Sequence, residues 1–550
     1  MSSPHSCRSR FFPGVNGHVF RVPWTAALWY RQACRRFRAA ALLLILFLSA
    51  GLLTGCNPLP SLEGRSVSTV VTDTNDTPLG VAISPLTAAH PGKAGIYPLV
   101  DAHNAFGARV LLAQAAVRTL DIQYYIWRGD MTGTLLFDAL RKAADRGVRV
   151  RLMLDDLGSL GLDATLAALD AHPNIEVRLF NPFANRRFPW GGFLTDFSRL
   201  NRRMHHKSFT ADSQATIIGG RNVGDEYFAA TDDFLFADLD VIAVGPVVKD
   251  VSHEFDRYWA SESAYPIDRL LGPAGETPLQ DVGAAASFVE KNPAATEYLD
   301  AIKESAFMLA LLRGTLPLEW AKTQMVSDDP LKGLGKAPPE AMLPVKLRRI
   351  IGDPEKEVDL VSPYFVPTAV GVDAFAAMSR RGVTVRILTN ALEATDVAVV
   401  HSGYARRRKP LLQEGVILYE FKRIADMPVH PKGPRLISSA SGSSLHAKTF
   451  SVDRSRVFVG SLNFDPRSAN LNTEMGFVIE SPILAARIDD AFKMLVPLNA
   501  YEVRLDDNGS LYWLERVDGK EVRHDTEPGT TFWKRTAVWL LSLLPIEWML

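Results

Sequence analysis

The sequence predicts an α/β fold of two related lobes, each a mixed, mostly parallel sheet flanked by helices. The lobes are expected to face each other across a pseudo-two-fold axis with one shared active site. Three observations predict this. β-type and helical patterns alternate from Gly92 onward, as strand–helix–strand crossovers do. The alternation runs through twice. Each pass then leads to the same polar constellation, His-x-Lys-x4-Asp.

Length and composition leave room for such a fold. The chain has 550 residues, enough for two to four domains of about 100–200 residues each. Its 47% hydrophobic and 22% charged residues are those of a globular protein with a sizeable core. The 61 basic and 61 acidic side chains cancel. This excludes a broadly basic nucleic-acid binder and an acidic disordered tail. Cys7, Cys34 and Cys56 are the three cysteines, so no disulfide framework or cysteine metal site is expected beyond residue 56.

The N-terminus has a different composition. Arg31, Arg35, Arg36 and Arg38 precede an uncharged apolar run of 15 residues, Ala39 to Leu53. Basic then apolar is the layout of a secretory signal, and a spanning helix would need about 20 residues. The run ends in Leu53-Thr54-Gly55-Cys56, which resembles the lipobox of bacterial lipoproteins. That resemblance implies cleavage before Cys56 and lipidation of its thiol; the alternative is a short membrane anchor with an incidental cysteine. Residues 1–55 are read as the signal peptide. They hold seven arginines and no acidic residue, so the remainder would carry a net charge of −7. Asn57 rather than Asp after the cysteine leans toward the outer membrane, on the periplasmic side, with peripheral inner-membrane attachment as the alternative. Residues 56–92, rich in Pro, Ser, Thr and Gly, read as a flexible tether.

Within the first lobe, 93–270, Leu120–Trp127 reads as a strand and Leu135–Arg146 as a helix stopped by Gly147. Val148–Leu154 and Glu176–Phe180 are the next strands. The second lobe, 295–500, repeats this with strand Val358–Phe365, helix Asp373–Arg381, Gly382 as its stop, and strands Val383–Leu388 and Val416–Phe421. A Pro/Gly-rich connector, 271–294, separates the lobes. A C-terminal region, 501–550, ends in helically spaced Trp533, Ala537, Leu540, Leu541 and Leu544. It reads either as a membrane-interface helix or as a helix packed on the core.

The chemistry lies in His205-His206-Lys207…Asp212 and His446-Ala447-Lys448…Asp453. Gly219 and Gly460 each follow their histidine by 14 residues, Asn222 and Asn463 by 17. One such match is a weak signal; two with shared downstream offsets in a duplicated unit are strong. Residues i and i+2 of a strand share a face, so His205 with Lys207, and His446 with Lys448, point at one ligand, and His206 points away. Hairpins are expected at Asp212-Ser213 and Asp453-Arg454, leading to Gly219 and Gly460. Asp212 and Asp453 are read as catalytic candidates, with turn formation an equally weighted role. Asn222 and Asn463 are read as substrate-binding amides. Two His, two Lys and two Asn would stabilise charge on a pentavalent phosphorane with no metal and no cofactor.

These motifs resemble the phospholipase D superfamily. The flanks Leu120–Trp127, Ser198–Met204, Gly460–Ser468 and the segment Phe532–Arg535 are similar to the bacterial cardiolipin synthase C group. The resemblance implies His205 as nucleophile, His446 as acid and base, and Glu474 as a carboxylate orienting a histidine; a strand-end carboxylate is the alternative for Glu474. It also implies cleft positions for Asn390, Asp396 and His401. The basic run Arg406–Lys409 reads as a lipid-headgroup site or a solvated helix face. The implied activity transfers a phosphatidyl group from a phospholipid, phosphatidylethanolamine among the candidates, to phosphatidylglycerol, giving cardiolipin. Hydrolysis to phosphatidic acid uses the same motifs; a superfamily nuclease is disfavoured by the charge balance, and a decayed site by the two intact motifs. Partners are expected to be phospholipids and a membrane, with no nucleic acid, for a monomeric chain.

Overall fold

The computed structural model describes residues 59–231, 234–272, 278–423 and 442–550. The signal read at 1–55 and Cys56 lie outside the described residues. The first lobe contains β1 (Ala94–Leu99), β2 (Thr119–Tyr124), β3 (Arg149–Asp155), β4 (Ile175–Phe180), β5 (Lys207–Ala211), β6 (Ala215–Gly219), β7 (Phe234–Ala237), β8 (Asp240–Val244) and β9 (Ala264–Pro266). In the second are β10 (Glu319–Ser327), β11 (Glu357–Val361), β12 (Thr384–Asn390), β13 (Ile417–Phe421), β14 (Gly442–Leu445), β15 (Thr449–Val452), β16 (Arg456–Gly460), β17 (Met475–Glu480) and β18 (Ala500–Leu505).

The sheet is mixed. The three strands read from each pass form its parallel part, β2-β3-β4 and β11-β12-β13. Helical crossovers permit that arrangement. The motif hairpins β5–β6 and β15–β16 join antiparallel to β2 and β11. Antiparallel pairing of β1 with β10 joins the lobes into one continuous sheet among the described residues. Duplication extends to buried charge: Arg151 of β3 grips Asp121 of β2 at 2.7 and 2.9 Å, and Arg386 of β12 grips Asp359 of β11 at 2.6 and 2.9 Å.

The first crossover helix, Met131–Asp145, starts four residues earlier than its apolar spacing suggested. Asp130 caps it by accepting from the Gly133 amide, and Gly133 is required because a Cβ there would lie 1.9 Å from the Arg128 carbonyl oxygen. Its counterpart is Thr368–Arg380. Gly147 and Gly382 end both helices at positive φ, +94° and +87°, as read from the sequence.

Three expected boundaries are corrected. Residues 65–70 are not a free tether: Arg178, Arg151 and Arg149 donate to the carbonyls of Ser66, Ser68 and Thr69 at 2.7, 3.0 and 2.8 Å. Thr77 then caps a helix, Pro78–Ala88, with proline at its start. The 271–294 connector contains the helix Pro278–Glu290, packed on the first lobe. Helices Pro293–Lys303 and Ala306–Leu312 also bury Tyr298, Ile302 and Phe307 in the first lobe's core, so the second lobe begins at β10 rather than near 295. Apolar residues at helical spacing gave these segments a core face that composition alone did not assign to a lobe.

The C-terminal helix, Phe532–Ser542, packs on Ala398–Ala405 and buries Val538. Trp533, Trp539, Leu543 and Trp548 stay exposed, at 77, 59, 61 and 57%. No helix among the described residues is long and apolar enough to cross a membrane.

Asp212 and Asp453 occupy their hairpin turns, each with φ near +50°, as do Ser213 and Arg454. Five residues of strand separate Asp212 from Lys207, about 17 Å. The Asp212 carboxylate accepts the amides of Val117, Arg118 and Thr119 at 2.8–3.3 Å. Asp453 does the same for Glu355, Lys356 and Glu357 at 2.7–3.2 Å. This corrects their placement among catalytic candidates: both clamp the chain entering the neighbouring parallel strand. Asp212→Ala should lower stability by about 2–3 kcal/mol, since three amides lose a charged acceptor. Asp453→Ala should cost less, because most of its bonds are exposed. Urea midpoints would show this, with activity per folded molecule retained.

Candidate active site

His205 and His446 stand at the entries to β5 and β15, and each entry is stitched to the other lobe. The His205 amide donates to the Thr473 carbonyl at 2.9 Å, and the Thr473 amide to that of Arg203 at 2.9 Å. On the opposite side β14 pairs parallel with β7, and the His446 amide donates to the Ala237 carbonyl at 2.8 Å. The residue after each stitch is a carboxylate. Glu474 of the second lobe accepts from His205 Nδ1 at 2.8 Å, and Asp238 of the first accepts from His446 Nδ1 at 2.5 Å. Each histidine is thus oriented by the other lobe. A proton on Nδ1 leaves Nε2 as the reactive nitrogen.

The carboxylates are themselves fixed. Ser461 Oγ donates to Glu474 at 2.5 Å, and the Leu239 amide to Asp238 at 2.8 Å. Ring edges wall the imidazoles: Tyr125 lies 5.0 Å from His205, Tyr227 5.3 Å from His446, and Phe236 4.8 Å from His446.

Lys207 Nζ donates to the His205 carbonyl at 2.7 Å, and Lys448 Nζ to that of His446. Both are buried, and among the described residues neither has a carboxylate within ion-pair distance. The centre therefore holds cationic groups lacking a contact counter-ion, and an anion would supply one. Burial, reinforced by Lys448, pushes Lys207 well below the usual lysine range; burial lowers Lys448 to about 8, against the pull of Asp238. Burial and the two lysines hold His205 well below 6.5, and burial with Lys448 lowers His446 to about 4. The carboxylates differ. Burial raises Glu474 to about 7 despite Lys207. For Asp238 burial acts upward, but His446 and Lys448 outweigh it and hold the group well below the ordinary carboxylate range.

Asn222 and Asn463 are both buried, but their roles diverge. Asn222 bridges the Ile126 amide at 3.2 Å and the Tyr227 hydroxyl at 3.0 Å. Asn463 has a buried amide oxygen without a partner. His206 faces away, as alternation required, and packs 4.2 Å from Tyr258. Asn390, expected in the cleft, holds both backbone groups of Leu445 at 2.9 Å and so positions His446. Asp396 accepts from the Tyr364 hydroxyl at 2.7 Å, and His401 lies 3.6 Å from Glu527. Arg406–Lys409 is neither a solvated face nor an open headgroup site throughout: Arg407 pairs with Glu547, and buried Arg408 with Glu420 and Glu527.

Asp238 was not found from the sequence. Glu474 follows His446 by 28 residues, whereas Asp238 follows His205 by 33, so equal spacing misses it. The available signal was the duplication itself, which calls for a second carboxylate once Glu474 is assigned.

The family described as cardiolipin synthase, PLD-like domain, matches residues 110–259 and again 347–496. The chain is 53% identical over 476 residues to cardiolipin synthase C of Escherichia coli (strain K12), covering 86% of this chain and 99% of that protein. It is 25% identical over 394 residues to a cardiolipin synthase of Listeria monocytogenes serotype 4b (strain CLIP80459), with 72% and 67% covered. Among solved structures, phosphatidylserine synthase from Haemophilus influenzae Rd KW20 shares the fold with a TM-score of 0.52 at 12% identity, covering 83% of this chain and 95% of that one. Matched in both repeats, the chain belongs to the cardiolipin synthase family of phospholipase D-like enzymes.

Proposed function

We propose that the protein is a phosphatidyltransferase that makes cardiolipin through a phosphohistidine intermediate. The observation that carries this reading is the pair of histidines, each held by a carboxylate of the other lobe and set beside a buried lysine, in a chain 53% identical to a cardiolipin synthase. A phosphodiester anion supplies the counter-charge that Lys207 and Lys448 lack. Neutral His205 attacks phosphorus through Nε2, and the bond from phosphorus to the donor's headgroup oxygen breaks. The substrate's negative charge favours a protonated His446, and ionised Asp238 supports that form. His446 gives its proton to the leaving alkoxide. A hydroxyl of phosphatidylglycerol then gives its proton to His446 and attacks the phosphatidyl group, and His205 is released. The lower proton affinity of the Asp238 carboxyl compared with Glu474 supports this division of roles.

The phospholipid substrates lie in a membrane. Exposed Trp533, Trp539 and Trp548 support contact of the C-terminal region with its interface. The segment Leu53–Cys56 supports a lipid anchor at Cys56 and, with it, a location in the cell envelope on the periplasmic side, leaning to the outer membrane, with peripheral inner-membrane attachment as the alternative. Labelled palmitate should enter the protein and be lost in Cys56→Ala; retained label in that variant would remove the anchor.

Detergent-purified protein incubated with labelled phosphatidylglycerol, with and without phosphatidylethanolamine, should yield cardiolipin by mass spectrometry. Phosphatidic acid as the sole product would assign hydrolysis instead. His205→Asn and His446→Asn should each abolish turnover, with a covalent lipid adduct trapped only in His446→Asn. An adduct only in His205→Asn would exchange the two roles.

Binding of an inert phosphonate analogue should weaken as pH rises through about 8. Lys448 in the free site titrates there, and the neutral amine no longer attracts the anion. The Lys448→Met variant should bind weakly without that dependence. Titration of analogue affinity against pH checks both.

A further inference from the structure

The two lobes are alike in backbone but unlike behind their histidines. Offsets within the motif make Met204 and His206 the counterparts of Leu445 and Ala447. Strand register makes Gln123 and Met153 the counterparts of Val361 and Leu388. In the first lobe this region is solid. Met153 and Met204 pack with Phe180, Phe255, Tyr258 and Trp259, and His206 lies between Tyr258 and Gln123. In the second lobe the same four positions line a cavity of about 580 Å³. Ile488 and Phe492, which pack with those positions, also line it, as do Leu484 and, from the first lobe, Val100, Leu235 and Val241. The polar pair Gln123 and His206 has become Val361 and Ala447, so these two cavity-lining positions are apolar, while buried Arg221 and Asp238 also reach the lining. Exposed Asp101 and Arg487 are among its few charged lining residues.

The cavity adjoins the chemistry. Phe236, which packs 4.8 Å from the His446 ring, and Asp238, which holds that ring, both line it. A lipid whose phosphate lies between the histidines therefore has an apolar chamber behind one of them. Mostly apolar walls with a few polar groups are typical of small-molecule sites, and such walls offer water few hydrogen bonds. We propose that this cavity, walled by both lobes, receives one acyl chain of the phospholipid substrate, so that the tail is read on the His446 side of the centre while the phosphate is read between the two histidines. The proposal rests on the phosphatidyltransferase reading and adds a tail subsite to it.

The test uses the full chain in detergent with a phosphatidylglycerol carrying a photoreactive diazirine on its acyl chain. Irradiation should label residues 484–496 or 98–103. Label confined to the exposed Phe532–Trp548 region, or label on neither segment, would overturn the proposal. This readout does not require turnover. In addition, Ala102→Trp and Ala491→Phe, one from each lobe, introduce bulk into the cavity. Each should lower the turnover ratio of long-chain to dihexanoyl substrate by about ten-fold, because the lost methylene contacts exist only for the long chain. An unchanged ratio in both folded variants would also overturn the tail site. Transfer of either substrate by the wild type would then still support the transferase reading, and the absence of transfer with both would overturn that reading instead.

Discussion

The structure depends on one exchange: each lobe supplies the carboxylate that orients the other lobe's histidine. Two imidazoles and two ammonium groups are buried at a single centre, where unbalanced charge is costly. Glu474 and Asp238 provide the nearby negative charge, and both arrive across the lobe boundary. Geometry of that quality requires the lobes to be registered rigidly. The β1–β10 pairing, the β7–β14 ladder and the Met204–Thr473 bridge provide the register. Much of the inter-lobe surface can be understood as a device for holding two carboxylates in place.

On this shared frame the lobes divide into a symmetric part and an asymmetric part. The Arg–Asp grips between parallel strands, the Asp212 and Asp453 clamps and the glycine helix stops occur in both copies. These determine where the chain runs. Differences gather around the site: Asp155 opposite Asn390 in holding the motif entry, Glu474 opposite Asp238, and a packed cluster opposite a cavity. The two carboxyls themselves differ in proton affinity, Glu474 raised by burial and Asp238 held low by His446 and Lys448, on the same backbone frame.

The parallel strands, their crossover helices, the motif hairpins and the inward-facing His–Lys pairs were legible because each follows a local period or a repeated spacing. Glu474 was reached through family likeness. Other features depended on tertiary contacts. Asp238 escaped because its loop is five residues longer than its counterpart's. Residues 65–70 have the composition of a tether, and only their distant partners, among them Arg149, Arg151 and Arg178 of β3 and β4, show that they are bound. Arg408 looked like surface charge until its two glutamates were placed around it. In each case the deciding partner lies far away in sequence, where no local pattern reports it.

The captured segment has a mechanical meaning. Arg269 donates to the carbonyls of Ser61 and Glu63, and Arg65 to those of Ser261 and Ala264, so the chain is fastened to the first lobe from Ser61 on. A lipid on Cys56 would precede Ser61 by five residues, a reach of at most about 17 Å. Such a leash is about half the hydrocarbon thickness of a bilayer. It would allow the enzyme to roll against its own leaflet but not to stand off from it or serve a neighbouring membrane. The arginines that tie down this short stretch would then set the working distance between catalyst and lipid.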